Sequence, residues 1–201
     1  MGLGTLAWGM SEITVVAICG SLRDESYTRL ALEHALDAAR AEGATADLLD
    51  LREWELPVFD ADADDAGDAP AFRERVRAAD SILLGTPMYH GSYSAPLKNA
   101  IDYCGFDEFE KKTVGVLGVA GGSFPITALE HLRSVCRALD AWVIPHQAAV
   151  PRAAGTFEDG QFVDDSVAAR VATLGEEAVR FANIEADPAS FESEENVGAT
   201  D

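Results

Sequence analysis

ITVVAICGSLRDESYTRL, residues 13–30, reads as strand, turn and helix in succession. Ile13–Ile18 is an apolar, β-branched run that suits a buried strand. At Gly20 the pattern breaks into the polar loop Ser21-Leu22-Arg23-Asp24-Glu25-Ser26 and resumes with helical spacing at Leu30. A loop that runs into a helix start offers unpaired backbone N–H groups and the positive end of the helix dipole, which together attract anions. Arg23 adds a fork of donors shaped for phosphate oxygens. The stretch therefore reads as a phosphate cradle, with an ordinary capped helix start as the plainer alternative.

Other phosphate motifs do not fit the same residues. A Walker A loop needs a Gly-Lys pair that does not follow Gly20, and a dinucleotide GxGxxG fails because positions 20, 22 and 25 are Gly20, Leu22 and Glu25. A cysteine phosphatase built on Cys19 would need an arginine six residues on, where Glu25 stands. Cys19 is expected to be the last inward residue of the strand.

Outward from this point, strands and helices alternate. Ser26 is placed to cap a helix to about Glu42, with Gly43 as its stop. A second strand is expected over Ala44–Leu51, running on toward Leu56-Pro57-Val58-Phe59. The acidic stretch DADADDAGDA (60–69) reads as an exposed loop. Pro70 opens a short helix to Ala79. Strands follow at Ser81–Gly85 and Thr113–Val119, and helices at Ala95–Cys104 and Pro125–Leu139. Trp142–Ile144 is expected to be the last core strand. Residues 145–163 read as loop, with a small hairpin around Glu158-Asp159-Gly160. The last helix carries Val167, Val171, Leu174, Ala178 and Phe181 on one side, with Ser166 as its expected cap. Five strands separated by helices predict a parallel sheet covered on both faces, in the order 2-1-3-4-5. Loops 20–26, 86–94 and 120–124 then emerge side by side at the carboxyl edge, where ligands of such sheets bind.

The second of these loops is TPMYHGSYS, residues 86–94. Tyr89 and Tyr93 offer flat faces, and the peptide N–H groups are expected to be free, which suits a planar heteroaromatic ring. His90 is either an acid–base group or a hydrogen-bonding loop residue. His34, His90, His131 and His146 show no metal-ligand spacing, and no metal site is expected.

The 201 residues carry 35 acidic against 15 basic side chains, a net charge of −20, with 48% hydrophobic content. This predicts one globular domain with a full core and argues against nucleic-acid partners and anionic membranes. Cys19, Cys104 and Cys136 form no CxxC and are expected to be reduced, mostly buried thiols, and a cytoplasmic home is expected with them. No run approaches the ~20 apolar residues of a membrane helix, and residues 1–12 lack the pattern of a signal peptide. The domain is expected over residues 13–184, between a disordered extension (1–12) and an acidic, disordered tail (185–201).

Three segments carry a resemblance. GSLRDESYTRL (20–30) resembles the GSxRxxSxN motif of the NADPH-dependent FMN reductase family, a branch of the flavodoxin-like fold. TPMYHGSYSAPLKNAIDY (86–103) resembles its PxYN-S-xPxxLKNAIDW segment, and GVAGGSFPITALEHLRSVCRALDAWVIP (118–145) its third block. The resemblance implies a flavodoxin-like three-layer sandwich and bound FMN. It assigns the phosphate to Ser21, Arg23, Ser26 and Thr28, the last standing where the family has Asn. It assigns the isoalloxazine edge to Pro87, Met88, Tyr89, His90, Gly91 and Ser92, with His90 in place of the common Asn. Gly121, Gly122 and Ser123 would close the other side of the ring. The flavin carries the chemistry, so the resemblance implies no catalytic side chain. Hydride would pass from NADPH or NADH to a quinone, azo, metal-ion or free-flavin acceptor in ping-pong order. Arg152 is a candidate for meeting the 2′-phosphate of NADPH. A homodimer or homotetramer is implied, with Leu97–Tyr103 contributing to the contact. The alternatives are a flavodoxin-type electron carrier and a non-catalytic flavin-binding redox sensor.

A charge of −20 on one small domain repels itself unless salt screens it. The composition is that of a protein from a salty cytoplasm, so the thermal unfolding midpoint should rise between low and molar salt; a midpoint indifferent to salt would contradict this reading.

Overall fold

In a computed structural model of the chain, residues 12–182 are described. The expected extension (Glu12 excepted) and the acidic tail lie outside the described residues. Strands β1 (Thr14–Cys19), β2 (Thr45–Asp50), β3 (Ser81–Pro87) and β4 (Thr113–Val119) are parallel, and β5 (Trp142–Val143) completes the order β2-β1-β3-β4-β5. This is the order expected of a doubly wound sheet.

Strands β1, β3 and β4 are almost wholly apolar and buried because both faces are covered, whereas the edge strand β2 carries Asp47 and Asp50. Val15, Ala17 and Cys19 of β1 point to one face, beneath helices α1 (Tyr27–Ala41) and α6 (Asp165–Arg180). Val16 and Ile18 point to the other, beneath α2 (Ala69–Arg77), α3 (Ala95–Asp102) and α5 (Ile126–Ala138). That alternation follows from the two-residue period of a strand. The result is three layers, helix on sheet on helix.

Four local expectations are revised. The second strand stops at Asp50 because its side chain accepts the amide of Arg52 (3.1 Å), folding Leu51–Phe59 into turns. The last strand position is shared: after β5, Pro145 breaks the ladder, and β6 (Ala148–Val150) rejoins β4 farther along. Arg133 binds the carbonyls left at this break, Ile144 at 2.8 Å and Pro145 at 2.9 Å. A one-turn helix, α4 (Phe106–Phe109), precedes β4. Asp164, and not Ser166, caps α6, since its carboxylate accepts both Ser166 N–H (3.0 Å) and Val167 N–H (3.3 Å) and complements the helix dipole. The expected hairpin is present as β7 (Phe157–Glu158) and β8 (Gln161–Phe162). No helix among the described residues is long and apolar enough to cross a membrane.

Candidate functional site

The register brings three loops together. Cys19 stands opposite Gly85 in the β1–β3 pair, and Pro87 opposite Val119 in the β3–β4 pair, so these strands deliver their loops to one edge. Gly20 N–H donates to Gly85 O at 2.8 Å. A Cβ on Gly20 would lie 2.7 Å from Leu97 Cβ and 2.8 Å from Ser94 Oγ, so only glycine permits this approach. Ser94 ties the first loop to α3, donating from Oγ to Gly20 O (2.6 Å) while capping Leu97 N–H (3.4 Å).

The first loop has the form expected of it. Ser26 caps α1, accepting from Arg29 N–H at 3.1 Å. The amides of Leu22, Asp24, Glu25, Ser26, Tyr27 and Thr28 have no hydrogen-bond partner among the described residues. Arg23 is exposed and lies within 4 Å of no carboxylate among the described residues. Behind the loop, burial pushes the Cys19 thiol up and the thiol has no exposure, so it is not a poised nucleophile. Burial likewise pushes Cys104 and Cys136 up to about 12.

The second loop spends more of its amides on itself than expected. Met88 N–H donates to Val119 O (2.7 Å), and Tyr89 and Ser92 exchange two backbone bonds of 3.0 and 3.1 Å. Among positions 87–92 the amides of His90 and Gly91 remain uncommitted among the described residues. These two residues form the turn tip, with φ of 51° and 80°. A primed turn requires positive φ at both central positions, which Asn and Gly tolerate best and His tolerates better than most. Side chains anchor the loop to α5, through Ser92 Oγ to His131 Nδ1 (3.0 Å) and Thr127 Oγ1 to Met88 Sδ (3.5 Å).

The third loop leans on the chain that follows β6. Ala120 N–H reaches Val150 O at 2.9 Å, Arg152 N–H reaches Gly122 O at 2.8 Å, and Ala153 N–H reaches Ala120 O at 3.0 Å. Gly121 and Gly122 are exposed, and a Cβ on either would meet nothing within 4 Å.

Between the loops is a cleft of about 190 Å³. Of the residues singled out from sequence, Ser21, Arg23, Ser26, Thr28, Pro87, Met88, Tyr89 and Gly121 line it. His90, Gly91, Gly122 and Ser123 stand outside the lining, and Ser92 faces a larger neighbouring groove. Ala153 and Ala154, in a 3₁₀ turn, also line the cleft. Two alanines in a loop carry no chemical signal in the sequence. Free amides, hydroxyls and one guanidinium at one end suit a phosphate; open space over Gly121, facing Met88 and Tyr89, suits a flat ring.

The sequence model of the NADPH-dependent FMN reductase family matches residues 13–155, a span that takes in all three loops. The chain belongs to that family. It is an FMN-dependent NAD(P)H oxidoreductase, and the donor set of the cleft fits both ends of FMN. An FMN-dependent NADPH-azoreductase of Staphylococcus aureus (strain USA300) is 34% identical over 142 residues, 66% of this chain and 73% of that protein. Among solved structures, the NAD(P)H:acceptor oxidoreductase FerB of Paracoccus denitrificans superposes with a TM-score of 0.72 at 23% identity, covering 85% of this chain and 97% of that one. A flavodoxin from the domain Archaea superposes with a TM-score of 0.60 at 11% identity, covering 86% and 100%. These two likenesses establish the flavodoxin-like fold, which carriers and reductases share; the family match separates them.

His90 occupies a left-handed position at the tip of the turn, which gives it a conformational part, and its imidazole makes no hydrogen bond among the described residues. His90→Asn, which keeps the left-handed tip and removes the imidazole, should retain kcat to within about threefold, since loss of a general acid–base costs about 10²-fold or more. A collapse of kcat in that variant, with the flavin still bound, would contradict the assignment.

Proposed function

We propose that the three-loop cleft holds FMN and that the chain uses it to reduce azo compounds or quinones with NADPH. The observation that carries this reading is the set of uncommitted amides from Leu22 to Thr28, with Arg23 beside them, at one end of a cleft that opens over Gly121. In this reading Ser21, Arg23, Ser26 and Thr28 hold the phosphate through hydroxyl and guanidinium donors. Pro87, Met88 and Tyr89 border the ring, and the turn of His90, Gly91 and Ser92 shapes that border. Gly121, Gly122 and Ser123 close the opposite side.

Bound FMN supplies hydride acceptance from the nicotinamide and hydride delivery to the acceptor. The chain's own contribution is to bind, orient and screen. Gly121 lines the cleft with its amide uncommitted among the described residues, and would offer a fixed dipole to negative charge at the ring edge. Tyr89 in the cleft and Leu22 on the neighbouring groove remain 52 and 55% exposed and offer apolar surface on which flat molecules can stack. Nicotinamide and acceptor would then use the open side of the cleft in turn. The azo acceptor class is supported by the name of the Staphylococcus aureus relative. The three free cysteines accord with a cytoplasmic location.

A second copy of the chain completes the site. An apolar groove of about 750 Å³ runs from Leu22 and Ser92 past Tyr93 and Pro96 to Trp54, Leu56 and Val58. Val58 is 88% exposed, which a lone domain gains nothing by presenting to water. The groove is continuous with the first and second loops, so a partner seated there would border the ring. A homodimer is the simplest such assembly, and a homotetramer contains the same pair.

Steady-state rates with NADPH and an azo dye, and separately a quinone, should give parallel double-reciprocal lines; intersecting lines would contradict alternate use of one face. Sedimentation should give a dimer or tetramer, and Val58→Asp should shift it toward monomer. A monomeric parent protein would overturn the assembly without touching the FMN site.

A further inference from the structure

Strand β2 ends on Asp50, whose residue is 4% exposed and stands opposite Cys19, at the root of the first loop. A carboxylate so far from water requires donors or cations around it. Two guanidiniums supply them. Arg52 folds back over Asp50, donating from Nε to Oδ1 at 3.0 Å and from Nη2 to Oδ2 at 2.5 Å. Arg29, in the first turn of α1, brings Nη1 to 3.4 Å from Oδ2. Burial acts to raise the Asp50 carboxyl, but the hydrogen bonds and charge of Arg52, with the charge of Arg29, outweigh it and hold the group below the usual carboxylate range.

Both guanidiniums have donors to spare, and both reach the same residue of the loop. Arg52 Nη1 donates to Asp24 Oδ1 at 3.2 Å, and Arg29 Nη2 donates to Asp24 O at 2.5 Å. Asp24 is thus gripped by side chain and main chain. In a trans peptide the carbonyl and the following N–H point opposite ways, and every described peptide is trans. The bond to Asp24 O therefore turns the Glu25 N–H away from Arg29. Glu25 is one of the residues that line the cleft.

We propose that Asp50 and Arg52 are positioning residues for the phosphate loop: the buried carboxylate, acting through Arg52 and Arg29, holds residues 20–26 in their anion-ready shape before FMN arrives. The inference rests on the FMN reading above. The cluster is two arginines against two aspartates, so it contributes shape more than net charge. Arg23 is left as the guanidinium for the ligand. A loop already ordered does not spend binding energy on ordering, which is the general advantage of preorganisation.

Riboflavin, which has the ring of FMN without its phosphate, separates this role from a general structural one. The full chain, freed of flavin by dialysis, is titrated with FMN and with riboflavin, read by quenching of flavin fluorescence. Arg52→Ala should weaken FMN about tenfold, the loss of a preorganised charged contact, and leave riboflavin within about twofold. Asp24→Ala gives the sharper result, because it removes a negative charge from beside the phosphate. Simple Coulomb attraction would then tighten FMN, whereas the clasp weakens it about threefold, the scale of an exposed ion pair. The double variant should bind FMN within about twofold of Arg52→Ala alone, since both act through one contact. Equal weakening of both flavins, unchanged FMN binding in Arg52→Ala, or tightening in Asp24→Ala would each overturn the clasp. The Asp24 side chain is fully exposed, so its variant decides the matter even where Arg52→Ala impairs folding. A parent protein that binds neither flavin would defeat the FMN reading and the clasp with it, whereas a parent that binds FMN beside unaffected variants defeats the clasp alone.

Discussion

The hydrogen bond from Gly20 N–H to Gly85 O, 2.8 Å long, is where the sheet ends and the site begins. It is the last rung between β1 and β3. Beyond it the two chains diverge, one into the first loop and one toward the second. Ser94 Oγ, 2.6 Å from Gly20 O, closes the same junction from the α3 side. With a side chain at position 20 this junction could not close, because Leu97 Cβ and Ser94 Oγ already occupy the space. The start of α1, the primed turn and the Gly121-Gly122 loop all take their places from this edge, so the cleft depends on parallel register before it depends on any one donor.

Charge sets the second constraint. A protein with a net charge of −20 must attract a phosphate-bearing cofactor against its own field. Local groups do this where long-range charge cannot. Amides at a helix start act at hydrogen-bonding distance, and Arg23 stands among them without a carboxylate within 4 Å among the described residues. Arg29 and Arg52 are committed to Asp50 and Asp24, and so serve the loop as a frame. The groove proposed for a second copy, with Val58 and Trp54 on its wall, is mostly apolar, and the carboxylate in its lining, Asp102, is paired with Lys98, so two acidic chains could meet there with little like-charge repulsion.

Much of this was legible in the sequence, because the signals were of the right length. β1, β3 and β4 are uninterrupted apolar runs, Ser26 and Gly43 mark the ends of α1, and the three loops share glycines and hydroxyls. What was hidden was short or depended on side-chain geometry. β6 is Ala148-Ala149-Val150, too brief and too small in side chain to stand out beside Pro151. The α4 turn spans four residues. Asp164 and Ser166 are both good caps, and only the geometry chooses the carboxylate. The second strand was expected to run on past Leu51 toward Phe59; the Asp50 carboxylate instead accepts the amide two residues on and ends the strand, which only side-chain geometry shows. Free amides in the 87–92 loop were expected, but a primed turn consumes those of Tyr89 and Ser92. Ala153 and Ala154 reach the cleft only because β6 returns the chain to the β4 edge.

The absorption spectrum of the purified protein in high salt, with FMN added and excess removed, tests the central claim most directly. The account predicts flavin bands that stay with the protein and bleach when NADPH is added under anaerobic conditions. Flavin that does not remain with the protein would contradict the cleft as its site. Retained bands that NADPH leaves unbleached would contradict the oxidoreductase.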